Sequence, residues 1–84
     1  MYHTYVLYSI QFNKIYIGFS SNLELRLSIH NSDKNTGWTS KYKPWEVLYS
    51  ENFETKKEAM LREKQLKTSR GRAYIWDLVS SRNN

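Results

Sequence analysis

The sequence predicts an α/β domain, a small three-stranded, mainly antiparallel sheet flanked by helices in the order β-β-α-β-α-α. Two observations carry this. Short β-branched and aromatic runs are separated by turn-forming residues, and two Ser/Thr-x-x-Glu patterns open segments of helical periodicity. At 84 residues the chain is read as one domain, residues 1–84, without an internal repeat or a linker.

Tyr5-Val6-Leu7-Tyr8-Ser9-Ile10 reads as the first strand and Ile15-Tyr16-Ile17 as the second, with Asn13-Lys14 between them as the turn of a hairpin. Gly18 closes the second strand. Ser21 with Glu24 three residues later predicts a capping box and a helix through about Asn31. Residues 32–44 are polar and turn-rich and read as a surface loop. From Trp45 to Phe53 an alternation predicts a third strand that buries Val47, Tyr49 and Phe53. Thr55 and Glu58 form a second capping box for a helix to about Ser69, where Arg70-Gly71 reads as its stop. Tyr74, Ile75, Leu78 and Val79 recur at helical spacing, so a short last helix is expected before a frayed tail at 80–84.

Thirteen Lys and Arg against eight Asp and Glu give a formal net charge of +5, which favours a polyanionic partner through counterion release. The absence of cysteine leaves packing as the source of stability and suits a reducing cytoplasm. No apolar run approaches the ~20 residues of a membrane span, and the first residues lack a signal-peptide layout. The expected setting is cytoplasmic, with no membrane.

Several side chains could carry chemistry. Arg26 and His30 stand four apart on the first helix, so one substrate could meet both: Arg26 as a phosphate clamp, His30 as a proton carrier. The same pair also reads as a solvated arginine and a helix-terminal histidine. Glu63 falls on the stripe of Ala59 and Leu66, where it needs a partner, either a hard cation or a salt bridge to Lys67 or Arg62. A hairpin register could place Tyr5 and Tyr16 on one face, as proton acceptors or as ordinary packing residues with wet hydroxyls. Lys41, Lys43, Lys64, Lys67, Arg70 and Arg72 read as a basic rim for nucleic acid, or equally as a solvated surface.

The order of these residues is informative. Tyr5-Val6-Leu7, Tyr16-Ile17-Gly18-Phe19-Ser20-Ser21-Asn22-Leu23, Arg26, His30-Asn31, Pro44-Trp45 and Glu58-Ala59-Met60 to Arg62-Glu63-Lys64 together resemble the GIY-YIG nuclease family, from Tyr5 to about Gly71. The resemblance is strongest to short stand-alone bacterial members related to the nuclease domain of the excision-repair incision protein. The second signature is complete as Tyr16-Ile17-Gly18, whereas the first survives as Thr4-Tyr5-Val6 without its glycine. Phe19 stands where some relatives carry lysine, and His30 where they often carry tyrosine.

The resemblance implies a metal-dependent endonuclease hydrolysing DNA phosphodiesters, in DNA repair or recombination. Its cofactor would be Mg²⁺ or Mn²⁺ held by Glu63, with Tyr5, Tyr16, Arg26 and His30 as the other catalytic residues. Two other functions fit the same features: a nucleic-acid-binding module of this fold without catalysis, and a metal-independent ribonuclease. A chain of 84 residues has no room for a separate DNA-reading domain, so weak specificity or a recruiting protein is expected, in a monomer or weak homodimer.

Overall fold

Residues Tyr2–Ser9 form β1 and Lys14–Ser20 form β2, an antiparallel hairpin built from β-branched and aromatic side chains. The computed structural model describes residues 1–82. Asn13 turns the chain with a φ of 53°, a left-handed conformation that asparagine tolerates, and its side chain accepts a 2.8 Å hydrogen bond from the Tyr8 hydroxyl. β3, Glu46–Phe53, pairs antiparallel with the other side of β1, giving the order β2-β1-β3. β1 is thus central, and it is buried continuously from Thr4 to Ser9.

The two faces of the sheet are covered differently. Val6, Tyr8, Ile15 and Ile17 pack under Leu66 of α2 (Lys56–Leu66) and Ile75 and Val79 of α3 (Ser69–Arg82). On the opposite face Tyr5, Leu7 and Trp45 pack with Leu23 and Leu27 of α1 (Leu23–His30) and with Tyr42. The strand–strand–helix–strand–helix–helix order and the antiparallel sheet are those the sequence predicts.

The boundaries differ in instructive ways. β2 runs past Gly18 to Ser20, so the glycine lies within the strand opposite Tyr5. Asn22, not Ser21, caps α1, its side chain accepting the Leu25 amide at 3.1 Å. Glu24 is then too early in the helix to complete a box. The box of Thr55 and Glu58 forms as expected. Within residues 32–44 the chain makes a 3₁₀ turn over Trp38–Tyr42 and buries Thr39. β3 carries a bulge: Val6 faces Tyr49 while Leu7 faces Val47, leaving Leu48 between them. One extra residue inverts the alternation, so Leu48 packs on the core and Val47 is exposed.

Arg70-Gly71 does not stop a helix. α2 ends at Leu66, and Gly71 lies in the first turn of α3, where its amide is capped by the Thr68 hydroxyl at 3.1 Å. The glycine is needed for proximity. A Cβ there would fall 2.4 Å from the Gln65 carbonyl oxygen and 2.5 Å from Leu66 Cα, both backbone atoms that cannot swing away. Gly71→Ala is therefore expected to destabilise the fold by about 1–3 kcal/mol, the usual cost of overpacking. That is a fall of roughly 5–20 °C in melting temperature for a domain of this size. Thermal melting by circular dichroism checks it, and an unchanged melt would refute the tight α2–α3 crossing. The helix continues to Arg82, so the expected fraying at 80–84 is not seen through that residue. Asn83 and Asn84 lie outside the described residues.

Candidate active site

The hairpin register brings the two tyrosines together. Tyr5 pairs with Gly18 and Leu7 with Tyr16, so Tyr5 and Tyr16 are diagonal neighbours on one face, with ring centroids 6.3 Å apart. Gly18 makes this possible. A Cβ at that position would lie 2.9 Å from the Tyr5 hydroxyl oxygen and 3.1 Å from a ring carbon of Tyr16. The glycine of the Tyr-Ile-Gly signature is thus the floor on which both phenols rest.

α1 crosses this face and adds His30 and, one turn earlier, Arg26. His30 Nε2 lies 3.5 Å from the Tyr5 hydroxyl, and the imidazole packs 4.6 Å from the Tyr16 ring. The other imidazole nitrogen, Nδ1, is 2.9 Å from the Thr39 hydroxyl, which also accepts a 2.7 Å bond from Asn35 Nδ2. When Nδ1 donates to Thr39, Nε2 is left as an acceptor facing the phenol of Tyr5. Burial, and then the nearby charge of Arg26, lower the His30 pKa and favour that neutral form. Burial and the neighbouring Tyr16 raise the Tyr5 pKa; the hydrogen bond and charge of Arg26 oppose the rise, and the negative charge of Glu63 adds to it. These four neighbours therefore act on a single hydroxyl.

The loop between α1 and β3 holds this arrangement rigid. Asn31 donates to the Trp45 carbonyl at 3.0 Å and accepts from the Trp45 amide at 2.6 Å. The buried Trp45 indole in turn donates to the Thr39 carbonyl at 2.8 Å. Thr39, Asn31 and Asn35 support the histidine, and sequence reasoning did not assign them this work. Asn31 is signalled only by the His30-Asn31 pair of the resemblance, and Thr39 and Asn35, in a polar loop, carry no signal.

Glu63 approaches from α2. Its side chain is 21% exposed and meets Lys67 Nζ at 3.5 Å, whereas Arg62 turns away to donate to Glu51 at 2.7 Å. Of the two salt-bridge partners considered from the sequence, only Lys67 is engaged. Lys67 and Arg72 line a cleft of about 250 Å³ at the β2 edge together with Ile15, Tyr16, Ile17 and Trp38. The other basic residues are dispersed. Lys43 is bound to the Ser32 carbonyl and Asp33, Lys41 is exposed on the 3₁₀ turn, Lys64 lies on the outer face of α2, and Arg70 lines a separate hollow with Arg62 and Tyr74.

Among the described residues no group of three or more His, Cys, Asp or Glu could enclose a metal. A lone carboxylate does not suit zinc, which takes three or four protein ligands. It does suit Mg²⁺ or Mn²⁺, which take most of their coordination from water and substrate phosphate. Among the described residues no helix is long and apolar enough to cross a membrane.

Comparison with known proteins agrees with this geometry. Residues 1–75 match the model of the GIY-YIG catalytic domain. The UPF0213 protein SH2523 of Staphylococcus haemolyticus is 39% identical over 56 residues, covering 67% of this chain and 68% of the relative. The UPF0213 protein YazA of Bacillus subtilis is 30% identical over 83 residues, covering 95% of this chain and 84% of the relative. No solved structure matches the chain. A family match over most of the chain, on a fold whose hairpin glycine seats both signature tyrosines, identifies it as a member of the GIY-YIG family.

Proposed function

We propose that this chain is a divalent-metal-dependent DNA endonuclease. The family implies an endonuclease that hydrolyses phosphodiester bonds. The observation that carries the finer reading is the convergence on the Tyr5 hydroxyl of Tyr16, Arg26, His30 and the field of Glu63.

In this reading Glu63 holds Mg²⁺ or Mn²⁺, which when bound supplies a Lewis acid at the scissile phosphate. Arg26 neutralises the charge that grows on the phosphate oxygens. Water attacks phosphorus, the bond to the leaving oxygen breaks, and the proton of the water passes to the tyrosine pair. His30, bonded to Tyr5, carries that proton onward. Lys67 and Arg72, lining the cleft, bind flanking phosphates. The substrate is DNA, reached by weak sequence-tolerant binding or with the help of a recruiting protein, in repair or recombination.

The test is cleavage of branched, nicked, single-stranded and duplex DNA with Mg²⁺, with Mn²⁺ and with EDTA. Cleavage is expected only with metal. Because the Tyr5 phenol titrates above its ordinary value, the phenolate is scarce near neutrality, and the rate should climb by about tenfold per pH unit through the neutral range. Cutting of RNA in EDTA would replace this reading by a ribonuclease. Binding without cleavage under every condition would leave a binding module.

A further inference from the structure

From Tyr16 a file of aromatic rings leads outward, and beyond that residue it takes no part in the chemistry above. Tyr16 stands 6.5 Å from Trp45, Trp45 6.0 Å from Trp38, Trp38 4.8 Å from Tyr42, and Tyr42 5.6 Å from Phe12 at the tip of the hairpin. The inner end is closed, with Trp45 only 3% exposed, but the outer end is open: Trp38 is 49% exposed and Phe12 42%.

Isolated surface aromatics are common and need no explanation, whereas contiguous rings facing water mark a binding surface. Cations accompany them. Lys14 Nζ sits 5.4 Å over the Tyr42 ring, Lys41 lies on the same 3₁₀ turn, and Lys67 and Arg72 share the cleft with Trp38. The track is also held rigid, since Trp45 anchors the 3₁₀ turn through the Thr39 carbonyl. A ligand that suits such a surface is anionic along its length and carries flat rings at intervals.

We propose that Trp38, Tyr42 and Phe12 form a stacking track for unpaired nucleobases of the strand whose phosphate enters the cleft. The proposal rests on the nuclease reading for the identity of that strand, but the track itself is a binding site that functions without cleavage. It places bases at Trp38 nearest the scissile phosphate and at Phe12 farthest from it.

Binding is measured by fluorescence anisotropy in EDTA with two labelled probes of equal length, an oligodeoxythymidylate and an abasic oligodeoxyribose phosphate. The wild-type chain is expected to prefer the base-bearing probe. Trp38→Ala should weaken that probe by about 5- to 150-fold, the range for losing one base–aromatic stack, and leave the abasic probe unchanged. Trp38→Phe should recover most of the loss. Phe12→Ala, in the turn between β1 and β2, should shift the preference in the same direction, with a thermal melt showing that the fold is kept. Equal wild-type affinity for both probes would overturn the track, as would a Trp38→Ala loss that falls equally on both. A chain that cuts nothing but keeps the base preference would remove the nuclease reading and leave the track standing.

Discussion

Glu63→Gln is expected to abolish divalent-metal-dependent cleavage while leaving the fold nearly intact. The substitution keeps the shape of the side chain and removes its charge. What it costs in stability is set by the contact to Lys67, an i,i+4 pair at 3.5 Å with side chains 21% and 48% exposed. Such a pair contributes roughly 0.3–0.5 kcal/mol after screening, so the melting temperature should move by no more than about 4 °C. Ion pairing and metal binding thus give different signatures for the same residue. A cleavage assay paired with a thermal melt separates them: wild-type cutting by the variant would return Glu63 to a purely structural role, and a large fall in melting temperature would do the same.

Arg26→Ala is expected to lower the maximal cleavage rate by about 10²- to 10³-fold, the usual loss when one transition-state donor is removed. Binding of DNA should change little, because the guanidinium meets charge that appears only as the bond breaks. The fold should tolerate the change. Arg26 is exposed and, among the described residues, has no carboxylate within ion-pair distance, so no ion pair is lost with it, only its contact with the Tyr5 hydroxyl. Single-turnover rates and direct binding measurements check the split. Equal losses in rate and affinity would make Arg26 an ordinary phosphate contact.

The architecture was legible because the hairpin, the Thr55 box and the apolar stripe of the last helix are local signals. The pairing of Tyr5 with Tyr16 followed once a register was assumed, since residues two apart in a strand share a face. The errors arise where one residue of context decides the outcome. The alternation puts Val47 inside because a bulge at Leu48 leaves no mark in composition. Gly71 reads as a stop because a glycine near a helix end signals a turn, and nothing in the sequence shows that the backbone of another helix lies against it. For the candidate site, the geometry brings together Tyr5, Tyr16, Arg26 and His30 with the field of Glu63, while Thr39 escaped notice because its importance is a contact across nine residues. The basic residues were the least legible. Charge on a surface is visible in sequence, but the face it lies on depends on packing that a count of lysines does not contain.

The central strand carries two sets of instructions on alternate residues. Tyr5 and Leu7 serve the face with the tyrosine pair, and Val6 and Tyr8 serve the core beneath α2 and α3. A frame shift of a single residue in β1 would exchange the sets, carrying the Tyr5 phenol away from Tyr16 and His30 into the core beneath α2 and α3 and leaving Val6 and Tyr8 in its place. Catalytic alignment and folding are therefore read from the same ruler. Length variation is barred from β1 itself and has its natural outlet at the turn of Ile10 to Asn13, where an added residue lengthens the hairpin tip without moving either tyrosine.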